Sequence, residues 1–133
     1  MDFAELKAKL DRSREFELQI EGVKFRLRLP TDHHWRVITE QNTDASGRVA
    51  RQAVSRVLLD AAVTGWEGLT AEHLLKGGGA DAVAFSADTR AALLDERQDL
   101  ADELVLELIR RLNQRRKEMG DARKNSSRAS SGT

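Results

Sequence analysis

The chain contains no cysteine. That absence excludes disulfide bridges, thiolate zinc sites and thiol catalysis. No apolar run approaches the ~18 residues of a membrane span. Met1-Asp2-Phe3 opens a charged segment without an apolar core, so no signal peptide is expected. Net charge is lacking too, since 22 Lys and Arg face 22 Asp and Glu. Nothing in this composition points to secretion. A soluble, intracellular protein is expected.

What is present is charge of both signs, unevenly placed. Charged residues make up 33% of the 133 and apolar residues 40%, above the usual charged share of ~25%. The core should therefore be modest and the helices strongly amphipathic. Residues 110–133 carry eight Lys and Arg against Glu118 and Asp121, a surplus of six that the rest of the chain balances with acid. An acidic body with a basic end suits an acidic partner, nucleic acid or a neighbouring copy.

The expected fold is α+β and mainly helical: an N-terminal β-hairpin packed on four to five helices in one domain (1–119), then a disordered polar and basic tail (120–133). Residues 2–12 read as a short helix with Phe3, Leu6 and Leu10 on one side. Apolar and polar residues then alternate through 16–20 and 23–29, separated only by Glu21-Gly22, a two-residue turn. That register pairs Ile20 with Val23, Leu18 with Phe25 and Phe16 with Leu27, all on one face. Pro30 ends the second strand. Thr31 or Asp32 caps a helix to about Glu40, and 48–63 keeps a helical period until Thr64-Gly65 stops it. Trp66 to Leu69 reads as a compact turn, 71–76 as a short helix capped by Thr70, and Gly77-Gly78-Gly79 as a break. Ser86 caps a helix to about Leu94. A last helix over 98–119 carries Leu100, Leu104, Leu108 and Leu112 at spacings of four.

Catalytic chemistry is hard to assemble from these residues. His33-His34 and His73 lack the i, i+4 spacing of a zinc pair and read as solvated histidines. The triple glycine lacks the Lys and Ser/Thr of a phosphate loop. Ser86 stands outside any Gly-x-Ser-x-Gly elbow, and its capping role accounts for it. No enzyme, metal or cofactor is expected. Candidate partner-binding residues are Trp66, which reads first as a core anchor at a helix end and second as a partner contact, and the last helix. Its apolar Leu104, Leu108 and Leu112 and basic Arg110, Arg111, Arg115, Arg116 and Lys117 suit core packing or a groove. The basic end has no aromatic residue for base stacking, so nucleic acid is disfavoured.

The ordered set Ala62-Val-Thr-Gly-Trp66-Glu-Gly-Leu69, a glycine-containing linker, then Val83-Ala-Phe85-Ser86 opening a helix, resembles the tail assembly chaperones of long-tailed, siphovirus-like phages. In that family a V-x-G-W-x-G segment precedes a loop, an F-S helix start and a leucine-rich helix. A short polar tail with Lys-Asn-Ser follows, here Lys124-Asn125-Ser126. The likeness spans roughly residues 16–127. It implies a protein of the host cytoplasm that coats the tape measure protein, keeps it soluble, recruits tail tube protein and leaves before the virion matures. It also implies a longer frameshifted product, with Lys124 and Asn125 as the slip position, because their codons can form a slippery heptamer. Self-association of acidic body with basic end would favour such a coat.

Two other readings stay open on the residues. One is a small structural connector or tail completion protein retained in the particle. The other is a nucleic-acid-binding regulator built on 110–128, with Asn113 and Gln114 as its base-reading candidates.

Overall fold

The computed structural model describes the backbone of residues 1–131 and the side chains of residues 1–124. In chain order the elements are α1 (Phe3–Arg14), β1 (Glu15–Ile20), β2 (Val23–Arg28), α2 (Asp32–Gln41), α3 (Arg51–Ala62), β3 (Val63–Glu67), α4 (Ala71–Leu74), α5 (Ala87–Glu96) and α6 (Gln98–Ser131). The hairpin forms in the expected register, Ile20 opposite Val23, Leu18 opposite Phe25 and Phe16 opposite Leu27. Its turn places Glu21 at φ 52° and Gly22 at φ 78°. This is the left-handed pair whose twist matches the two strands.

The hairpin is not alone. Val63–Glu67, expected as a helix end and a turn, forms a third antiparallel strand on β2, giving the order β1-β2-β3. Two features hid it. Gly65 sits in mid-strand, where glycine is unfavourable, and the pairing shifts at Arg26/Leu27, where the partners change from Gly65 to Val63 and skip Thr64. Such a bulge breaks the simple alternation that sequence reading relies on.

One sheet face is apolar. Val23, Phe25, Leu27, Val63 and Trp66 share a core with Leu58 and Leu59 of α3, Leu93 and Leu94 of α5, and Leu100, Leu104, Leu108 and Leu112 of α6. Phe16, Leu18 and Ile20 are half-buried against its margin. The opposite face is charged, with Lys24–Glu17, Arg26–Glu67 and Arg28–Glu15 pairs across the strands. Such exposed pairs contribute little individually. They keep that face wet.

The helices number six among the described residues rather than four to five. Thr31 and Ser86 cap α2 and α5, accepting from His34 N–H at 3.0 Å and Thr89 N–H at 3.1 Å. The last helix passes its expected end at 119 and the expected tail, its backbone staying helical to Ser131. A glycine such as Gly120 costs a helix about 1 kcal/mol but does not oblige it to stop. Residues 120–124 are nonetheless exposed.

The hairpin tip is clasped. Arg97, between α5 and α6, donates to both Glu21 carboxylate oxygens at 2.9 and 3.0 Å, to Asp99 at 2.8 Å and to the His73 carbonyl at 2.8 Å. Hydrogen bonding to Arg97 holds Asp99 down at about 2. His73, expected in solvent, sits between elements instead. Its Nδ1 accepts from Thr70 N–H at 3.0 Å, which leaves Nε2 to donate to the Glu21 carbonyl at 3.1 Å. Gly68, at φ 85°, lets the chain pass the tip; a Cβ there would stand 3.0 Å from the Gly22 carbonyl oxygen.

These positions rank two neighbouring leucines. Leu104 is 0% exposed and Leu106 is 69% exposed. In urea denaturation Leu104→Ala is expected to cost about 2–5 kcal/mol, and Leu106→Ala less than about 0.5 kcal/mol. Equal costs would mean that α6 presents a different face to the core.

Candidate protein-binding surface

Two of the segments that carried the family resemblance, around Trp66 and around Phe85, meet in space. Trp66 is 6% exposed, its ring edge-on to Phe85 at 4.9 Å and to Phe25 at 6.4 Å. Its Nε1–H donates to the Val83 carbonyl at 2.8 Å. The Val-x-Gly-Trp and Val-x-Phe-Ser segments thus form one packing unit, with Gly68 admitting the hairpin tip beside it. Trp66 is a core anchor.

The Gly77–Gly79 turn is likewise occupied from within. Glu72 accepts from Gly77 N–H at 3.2 Å and Gly79 N–H at 3.1 Å, bonds that lower its pKa. Amide groups committed to a carboxylate of the same chain are not offered to a phosphate. Among the described residues no group of three or more His, Cys, Asp or Glu could hold a metal ion, and no helix is long and apolar enough to cross a membrane.

Leu104, Leu108 and Leu112 are at most 4% exposed. They are turned into the core, so a partner does not reach them in this fold. The hairpin's Val23, Phe25 and Leu27 are equally enclosed. Four of the five basic candidates on α6 are engaged by the chain itself. Arg110 and Arg111 converge on Glu107, whose carboxyl they hold below its ordinary value. The Arg111 guanidinium also lies 4.3 Å from the centre of the Phe16 ring, a cation–π contact. Arg115 donates to the Ser13 carbonyl at 3.2 Å and Arg116 to Asp32 at 3.3 Å. Lys117 is exposed. Lys124 lies exposed on the same overhang, and the side chain of Asn125 falls outside the described residues.

Comparison of the chain with protein-family models, with curated proteins and with solved structures finds no match to any of them.

An open row of apolar side chains lies on α1. No residue of this helix is buried. Phe3 is 78%, Leu6 45% and Leu10 40% exposed, and their spacing of three and four puts them in one row. Asp2 caps the free end, accepting from Glu5 N–H at 2.8 Å. Ties to the body gather at the other end, where Leu29 N–H reaches the Arg14 carbonyl at 2.9 Å and Arg115 reaches Ser13. Helical period marked these residues, but period alone does not say whether a stripe finds a cover. Exposed apolar rows of this kind mark interaction surfaces.

The Glu107 node fixes α6 against β1 through Arg111 and Phe16. A carboxyl whose pKa is lowered on folding stabilises the fold above its ordinary value, here 4.5, and that contribution fades as pH falls through the depressed value. Glu107→Gln is therefore expected to lower Tm at neutral pH, with the gap to the parent closing in acid. A gap that persists unchanged in acid would assign the loss to packing rather than charge.

Proposed function

We propose that this protein is a tail assembly chaperone of a long-tailed phage. It binds the tape measure protein, keeps it soluble and recruits tail tube subunits in the host cytoplasm. It departs before the particle matures. The observation that carries the reading is α1, a capped helix with an uncovered apolar row, joined to the body at one end. A long helical client bears apolar stripes that aggregate when bare, and an amphipathic helix is a natural cover for such a stripe. One short helix binds weakly; many copies along one client supply avidity.

Two further observations support it. Two of the sequence segments that resemble the chaperone family, 62–69 and 83–86, pack together around Trp66. Four cations of the basic end, Arg110, Arg111, Arg115 and Arg116, already serve contacts within the chain, which weakens a nucleic-acid reading that needs them free for phosphates.

Co-expression with the tape measure protein encoded by the same genome is the test. The parent chain should hold the client in the soluble fraction. Phe3→Asp with Leu6→Asp should lower affinity about tenfold or more and send the client to the pellet, without lowering the chaperone's Tm. A tape measure protein that stays soluble alone, or this chain found as a stoichiometric part of purified virions, would sink the proposal. A slippery heptamer at the codons for Lys124 and Asn125, followed by an overlapping downstream frame, is the genetic outcome expected.

A further inference from the structure

The outer side of α6, opposite its buried leucines, has an order of its own. Residues 99, 103, 106, 110, 113, 117, 120 and 124 recur at alternating spacings of four and three, the seam period of a two-stranded coil. Every residue of this seam is exposed. Its first part is acidic (Glu103, and Asp99, which Arg97 pairs), Leu106 and Arg110 follow, and its later part is basic (Lys117, Lys124). Leu106 is 69% exposed although Leu104 and Leu108 on either side are enclosed. None of the described residues covers it. Arg110 stands at the centre already paired with Glu107 of its own helix, so the midpoint is close to neutral.

A stripe that runs from acid to base is complementary to itself when reversed. We propose that a second copy of this chain docks here, the two α6 helices antiparallel about a two-fold axis near Arg110. Glu103 of each copy then faces Lys117 of the other, and Leu106 packs beside the partner copy's seam around Asn113. An isologous contact of this kind closes at two copies. Parallel alignment would oppose acid to acid and base to base. With one large apolar side chain per copy and exposed ion pairs, the dimer is weak and weakens further with salt. The contact uses a different surface from α1 and does not depend on the client's identity.

Sedimentation of the full chain over a concentration series tests this. A monomer–dimer equilibrium is expected, shifting toward monomer between about 0.1 and about 1 M salt. Glu103→Lys or Lys117→Glu alone turns two attractive pairs repulsive and should raise the dissociation constant about tenfold. The double variant should return to within about threefold of the parent. Leu106→Asp should give monomer with unchanged Tm. Positions 103 and 117 are about 21 Å apart along one helix, so a Glu103→Cys/Lys117→Cys chain should oxidise only between copies. Monomer at every concentration, growth beyond two copies, no rescue by the double variant, or no inter-copy disulfide would each overturn the proposal.

Discussion

The apolar face of β2 is the constraint from which the rest follows. Val23, Phe25 and Leu27 alternate with Lys24, Arg26 and Arg28, so pairing strands leaves one greasy face and one charged face. A hairpin alone cannot keep such a face dry. The chain covers it with α3, α5 and α6 and widens it with β3, drawing Trp66 into the same core. The clasp at Glu21 and the passage of Gly68 hold the left-handed turn at the tip. Each later element is placed by what it contributes to this one cover.

α6 answers two demands in succession. Through Leu112 its inner side is core. Past that point the core ends while the helix continues, and its cations turn to nearby groups: Arg115 to the end of α1, Arg116 to the start of α2. Placing a cation at the C-terminal carbonyls of α1 is also favourable for that helix's dipole. The basic end is thus partly a bracket for the elements around it. Its outer seam is left over, and the charge gradient there gives the molecule a direction.

α1 stands apart because it meets none of the core's requirements. Its apolar row equals those of buried helices in spacing but not in length or density: Phe3, Leu6 and Leu10 are interrupted by Lys7, Lys9 and Asp11. A helix of twelve residues is marginal by propensity alone, which suits an element completed by something outside the chain. Binding by such a helix would draw on ordering as well as burial, keeping each contact reversible.

Local pattern determined much of this protein. Alternation and a two-residue turn specified the hairpin and its register, capping residues marked the starts of α2 and α5, and the leucine spacing of α6 named its buried side. These signals are local because they arise from strand pleat, helix period and capping bonds between near neighbours. β3 escaped notice because a bulge and a mid-strand glycine interrupt alternation, and its pairing with β2 bridges about forty residues of chain. Which apolar stripe is buried was equally beyond local reading. Leu104 and Phe3 carry the same periodic signal, and only the packed fold, with room for one row and not the other, separated core from open surface.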